Sequence, residues 1–243
     1  MSWSVPKMWE DDDVWILGGG PSLTKQFGIP DEVVQSVRNG NSPPSVYSPY
    51  MKELHDRHVI GINVAYLIGD WIDMVFFGDS AFFLNHIQGL AKFPGLKVSC
   101  HPLTEKYDWV KYTPRGKPKG ISDNPRMVCW NGNSGAAAIS VAANAGAKRI
   151  ILLGFDMKLD DKNKQHWHGL YGSHKRQAVE ENRRNRNRKV RPFHYPFDRH
   201  LRGFPSIALD AKRRGIEILN ACPDSAIKDF PRYSLKELLW DNS

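Results

Sequence analysis

Residues 13–22 read DVWILGGGPS, and this stretch decides the fold. A short apolar run, stopped by three glycines, a proline and a serine, is the pattern of a buried strand followed by a glycine turn. The same grammar returns at residues 149–156, RIILLGFD, the strongest strand signal in the chain. Working outward, strands are expected at 58–63, 74–77, 96–100 and 217–220. Helices are expected at 31–38, 80–91, 131–146, 207–214 and 234–240, with Gly146 closing the third of them. Residues 39–50, rich in Asn, Ser and Pro, read as a loop, as do the Pro- and Gly-containing residues 112–125. Residues 160–205 form a long, polar, basic insertion or arm. Strands alternating with helices predict an α/β, Rossmann-like, doubly wound and mostly parallel sheet with helices on both faces. The length suits one domain over 1–243.

Composition narrows the function classes. Hydrophobic residues make up 41% of the 243 and charged residues 25%, enough for a sizeable core. No apolar run reaches a membrane-spanning length of about 18 residues. The first 13 residues carry three consecutive aspartates and no apolar segment of a signal peptide. Three widely spaced cysteines give neither a disulfide framework nor a paired metal motif, so a cytoplasmic setting is expected. The formal net charge of +8 favours polyanionic partners, nucleotides or nucleic acid.

In open parallel sheets ligands sit beyond the carboxyl ends of the strands. Three polar clusters are expected there. Gly18, Gly19, Gly20 and Ser22 suit a phosphate, through backbone donors and one hydroxyl, or form a plain tight turn. The stretch matches neither the GxGxxG fingerprint nor a Walker A loop. Asp79 follows Gly78, and Asp156 follows Gly154-Phe155. Each could hold a ribose or sugar hydroxyl or a divalent metal, or simply cap a turn. A fourth cluster, Asn131, Asn133, Ser134 and Gly135, opens the alanine-rich helix. It could hold a phosphate or a base, or Ser134 could merely cap that helix.

Within the arm, His166 and His168 point the same way on an extended chain. They could serve as a metal pair with Asp156, as a general base, or as phosphate donors. Residues 174–191 are dense in Lys and Arg. Arg183, Arg184, Arg186 and Arg188 would grip a polyanion such as DNA, or line a solvated face. His194, Tyr195 and His200 follow just before the penultimate helix.

The order of these motifs resembles the bacterial family 42 sialyltransferases and their wider superfamily, which takes in archaeal 6-hydroxymethylpterin diphosphokinase-like proteins and phage proteins. The resemblance runs through residues 18–23 (GGGPSL), Asn63 at a strand end, the aromatic stretch 76–83, Ser134-Gly135, residues 146–156 and the closing residues 222–225 (CPDS). It implies a Rossmann-like nucleotide-binding domain. It also implies that the glycine turn, Asn63 and Ser134-Gly135 hold a nucleotide sugar, with tyrosines on the phosphate, for which Tyr171 and Tyr195 are candidates. A histidine before the penultimate helix, here His200, would act as base without a metal. The pterin enzymes imply instead a magnesium-dependent diphosphate transfer from ATP.

The expectation is therefore a glycosyltransferase using a nucleotide-activated sugar, with His168 or His200 as base, His166 and Asp156 beside them, and a nucleic-acid acceptor in a phage setting. The alternatives are Mg²⁺-dependent diphosphate transfer to a pterin-like acceptor, and a non-catalytic nucleotide- or nucleic-acid-binding protein. Gly20→Val is expected to weaken nucleotide binding and spare the fold.

Overall fold

The computed structural model describes residues 3–171 and 196–240. The chain opens with β1 (Asp13–Leu17), α1 (Ser22–Gln26) and α2 (Asp31–Arg38). A 3₁₀ helix over Pro44–Leu54 leads to β2 (His58–Ile62), which runs directly into a second 3₁₀ helix, Asn63–Ile68. Then come β3 (Met74–Phe77), α3 (Ser80–Lys92), β4 (Leu96–Ser99) and the two-residue β5 (Lys111–Tyr112). The second half holds α4 (Ser134–Asn144), β6 (Arg149–Leu153), α5 (Phe197–Leu201), α6 (Phe204–Arg214), β7 (Glu217–Asn220) and α7 (Leu235–Trp240).

The seven strands form one sheet in the order β5-β4-β3-β2-β1-β6-β7, and every neighbouring pair is parallel. From β1 the order runs outward one way through β2 and the other way through β6. The crevice between β1 and β6 is thus the switch point, where ligands of such sheets sit. At the opposite end of the same two strands, Arg149 donates to both carboxylate oxygens of Asp13, at 2.7 and 2.5 Å.

Both faces of the sheet are covered, so the strands read as continuous apolar runs. Val14, Ile16, Ile60, Phe76, Ile150 and Leu152 face one core with α4 and α6. Trp15, Leu17, Val59, Phe77, Ile151 and Leu153 face the other, with α2 and α3. The period of two in each list is the strand's own alternation. Every residue of α4 is buried. Its alanines have no long side chains to hold the helix axis away from the sheet.

Several boundaries differ from the reading of the sequence; α6, for one, begins at Phe204 rather than at residue 207. Residues 39–50 are expected to be loop, whereas Pro44–Leu54 forms 3₁₀ turns with a kink at Met51, Pro at the first position and buried Tyr47, Met51 and Leu54. Proline's fixed φ suits a helix start, and the apolar residues bury against the second core. α4 begins at Ser134, and its N-cap is Asn133 rather than Ser134. Among the described residues, no helix is long and apolar enough to cross a membrane.

Candidate functional site

Gly18, Gly19 and Gly20 cross the carboxyl edge of the sheet beside Gly154. The amide of Gly18 donates to Leu153 O at 2.7 Å, and that of Gly20 donates to Gly154 O at 2.8 Å. A Cβ on Gly18 or Gly20 would lie 2.6 Å from Gly154 O, and one on Gly20 would also strike the Asp156 carboxylate. These two glycines are required by the close approach of two loops. Gly19 faces outward instead, towards His166.

Asp156 stands behind the turn. It is 7% exposed and accepts from Ser22 N at 3.1 Å and from Ser22 Oγ at 2.9 Å. Burial pushes its carboxyl pKa up, against the opposing pull of the Ser22 hydrogen bonds. Ser22 and Asp156 face a separate cavity of about 480 Å³ with Lys25, Lys158 and Asp160.

The segment after β6 folds back over the turn. Trp167 is fully buried; its amide donates to Gly19 O at 3.1 Å and its indole N–H to Gly18 O at 3.0 Å. His166 Nδ1 lies 3.2 Å from Gly19 O. The His166 and His168 rings stack, with centroids 5.0 Å apart and planes 9° from parallel. Tyr171 sets its edge against both rings and hydrogen-bonds Asn63. Burial holds the His168 pKa well below the ordinary imidazole value, with neighbouring positive charge adding to the effect. Burial likewise raises the Tyr171 phenol.

The other wall is the start of α4. Asn133 Oδ1 accepts from Ala136 N at 2.8 Å, and Asn133 Nδ2 donates to His200 O at 3.4 Å, which ties α5 to this end of the helix. The first amides of a helix have no intrahelical acceptor and carry its positive dipole end. His200 is half-buried, and burial, aided by Arg199, lowers its pKa to about 4.

These walls enclose a cleft of about 170 Å³. That is smaller than the roughly 300–1,000 Å³ typical of a whole ligand site, so a nucleotide sugar would extend past its mouth. Gly18, Gly19, Asn63, Asp79, Asn133, Ser134, Gly135, Gly154, His166, His168 and His200 all line it. Gly20, Ser22, Asp156 and Asn131 do not. Asn131 is 2% exposed, and its amide bridges Gly120 and Cys129 O. His194, Tyr195, Arg183, Arg184, Arg186 and Arg188 lie outside the described residues.

Three polar atoms on cleft-lining side chains are buried without a hydrogen-bond partner: Asn63 Oδ1, Ser134 Oγ and His168 Nδ1. Asn63 and Met157, at its rim, hold the left-handed region with φ of 51° each. That conformation costs an ordinary L-residue roughly 1–2 kcal/mol and gathers at functional sites. Ile62, Val64, Gly132 and Tyr171 also line it, as do Trp130, Phe155, Met157 and Arg199, which were not anticipated from the sequence. Trp130 does stand next to residues 131–135, which gave a local signal. Among the described residues, no three His, Cys, Asp or Glu side chains are grouped to hold a metal ion. A magnesium ion carried in by substrate phosphates would find one carboxylate in the cleft lining, Asp79.

Fold and site together define a Rossmann-like α/β domain with a cleft at its switch point. No protein-family model matches the chain, and comparison with curated proteins finds no match. Among solved structures it is similar to the MAf glycosyltransferase of Magnetospirillum magneticum AMB-1, with a TM-score of 0.55 and 11% identity over 96% of this chain. The match covers 36% of that protein, so this chain spans about a third of its length. A second similar structure is the sialyltransferase CstII of Campylobacter jejuni in complex with a substrate analogue, cytidine-5'-monophosphate. Its TM-score is 0.46, at 14% identity over 93% of this chain and 86% of that one. At 11% identity the MAf likeness is one of fold: the domain is glycosyltransferase-like in architecture.

Proposed function

We propose that the protein is a glycosyltransferase that holds a nucleotide-activated sugar in this cleft. The observation that carries the reading is the set of unpartnered buried atoms, Asn63 Oδ1, Ser134 Oγ and His168 Nδ1, around the start of α4. Buried polar atoms are ordinarily satisfied, and leaving one bare costs about 1–3 kcal/mol. A ligand with phosphate oxygens and hydroxyls supplies the missing partners. The helix start and the Gly19 side of the turn favour its negative charge. The resemblance in motif order supports a nucleotide.

In the reaction the acceptor oxygen attacks the anomeric carbon. The bond from that carbon to the phosphate oxygen breaks, and its electron pair leaves with the phosphate. The acceptor proton passes to an imidazole, His168 or His200. With lowered pKa values both rings are neutral at pH 7 and keep a lone pair for that proton. The charge that develops on the leaving phosphate raises the pKa of a neighbouring imidazole. The base therefore strengthens as the transfer proceeds. Excess positive charge on the chain supports a polynucleotide as acceptor.

The test begins with calorimetry against CMP, UDP, GDP, ADP and their sugar conjugates. Release of free sugar from the conjugate that binds is then measured for His168→Ala and His200→Ala. General-base loss predicts a fall in turnover of about a hundredfold or more in one of them, with donor affinity nearly intact. Full turnover in both variants and in the double variant would refute the histidine mechanism. Turnover seen only with ATP and Mg²⁺, and abolished by EDTA, would replace glycosyl transfer by diphosphate transfer. Binding without turnover would make the protein a nucleotide-binding module.

A further inference from the structure

One end of the cleft is aromatic and cationic, and the proposed donor chemistry leaves it unused. The Arg115 guanidinium lies over one face of the Trp130 ring, 3.8 Å from its centroid, and donates to Gly78 O at 2.6 Å. The Cζ3–Cη2 edge of that ring packs where a side chain on Gly78 would otherwise stand. A cation on one face and a glycine at one edge fix the plane of the indole. Trp130 is only partly buried and lines the cleft beside Asp79.

The loop that carries Arg115 runs alongside the strand-like residues before α4. Gly116 N donates to Val128 O at 2.8 Å and Asn131 N to Pro118 O at 2.9 Å. That pairing runs the backbone of residues 116–118 beside that of residues 128–131, so Lys117 and Lys119 belong to the segment next to Trp130. Both lysines are exposed, and neither pairs with an acidic side chain among the described residues. Unpaired cations flanking a fixed indole are what a single nucleic-acid strand uses: phosphates on the cations, a base on the ring. A free sugar or a neutral acceptor gives the lysines nothing to bind.

We propose that this rim is the acceptor subsite, and that it takes a polynucleotide strand with one unpaired base stacked on the face of Trp130 turned away from Arg115. Lys117 and Lys119 contact the flanking phosphates. The inference rests on the glycosyltransferase reading for the word acceptor, but the binding it describes does not require turnover.

The experiment is fluorescence anisotropy with a fluorescein-labelled, mixed-sequence, single-stranded 12-nucleotide DNA, across a salt series. An abasic strand of the same length is run in parallel, and donor-nucleotide affinity is measured separately by calorimetry. Trp130→Ala should weaken binding of the full strand by about five- to 150-fold and leave the abasic strand unaffected. Trp130→Phe, which keeps an aromatic ring, should retain most of the affinity. The double variant Lys117→Ala/Lys119→Ala should reduce the slope of log affinity against log salt by about 1.4, from about 0.7 per phosphate contact on a single strand.

The wild-type comparison of full and abasic strands needs no variant, so a misfolded Trp130→Ala protein leaves the test standing. Equal binding of the two strands, or an unchanged salt slope in the lysine variant, would overturn the proposal. So would a loss of nucleotide affinity in Trp130→Phe without loss of strand affinity, since Trp130 would then belong to the donor. If the strand does not bind at low salt while a donor nucleotide does, the acceptor subsite fails and the glycosyltransferase reading survives.

Discussion

After β3 the chain reads Gly78-Asp79, and after β6 it reads Gly154-Phe155-Asp156. Both aspartates leave a buried parallel strand at the same edge of one sheet, yet their surroundings are opposite. Asp79 is exposed, lines the cleft and makes no capping hydrogen bond to α3. Asp156 is 7% exposed and has both oxygens occupied by Ser22. The difference follows from place in the sheet. β6 adjoins β1 at the switch point, so its turn meets the glycine turn and the two must interlock. β3 lies two strands away from that junction, and its turn opens to the ligand side. A carboxylate can thus be spent on holding a loop or left for a ligand, and the sheet order decides which.

The largest effect should come from breaking the interlock. Gly20→Val was expected from the sequence to touch only nucleotide binding. The structure corrects this, because the added Cβ meets Gly154 O at 2.6 Å and displaces the Asp156 carboxylate. Overpacking against backbone, together with the lost Ser22 hydrogen bonds, should cost about 3 kcal/mol or more. Chemical denaturation checks it. A variant that keeps wild-type stability would show that the two loops separate easily, and the contrast between the turns would collapse.

Much of this contrast could not be read from the chain. The strands were legible because short apolar runs ending in glycine, such as residues 14–17, 74–77 and 150–153, have few alternatives. The glycines at their ends marked the cleft edge for the same reason. The pairing of Ser22 with Asp156 was not legible, since it joins residues 134 positions apart through a contact made only after the sheet forms. Asn131 looked like Asn133, but its amide is consumed by Gly120 and Cys129, which no local pattern announces. Trp130 went unread because its partner Arg115 sits in a loop whose composition signals only irregularity. Residues 44–50 read as part of a loop because proline and serine carry loop statistics, while the 3₁₀ turns that begin there bury Tyr47, Met51 and Leu54.

A smaller effect is expected from Asp156 itself. Asp156→Ala removes two acceptors from Ser22, each a charge-assisted bond worth about 1.5–3 kcal/mol. It also removes the cost of burying an ionised carboxylate, which the raised pKa records. The two oppose each other, so a net loss of about 1–2 kcal/mol is expected. The pH dependence carries the sign. A carboxyl whose pKa is higher folded than unfolded holds its proton longer in the folded state, so its contribution to stability is lost as pH rises through the folded pKa. Asp156→Asn should remove that decline from the profile of unfolding free energy as pH rises above the ordinary aspartate value of about 4. If Asp156→Asn leaves the profile unchanged, the carboxylate is no more burdened by burial than an exposed one.

The smallest effect on stability, and the one that most sharpens the comparison, belongs to Asp79. Its side chain is exposed and caps nothing, so Asp79→Ala should change the unfolding free energy by no more than about 0.5 kcal/mol. Its placement in the cleft lining predicts a loss elsewhere. A carboxylate that accepts from a ligand hydroxyl or amine contributes about 1.5–3 kcal/mol, which reads as a tenfold or greater fall in nucleotide-sugar affinity. Asp79→Asn keeps one acceptor oxygen and should recover part of it. Calorimetry and denaturation on the same two variants separate the outcomes. A stability loss as large as that of Asp156→Ala would mean that Asp79 also holds its turn, and the two strand ends would then be alike. An unchanged affinity with unchanged stability would remove Asp79 from the donor site and leave it facing the acceptor side, next to Trp130.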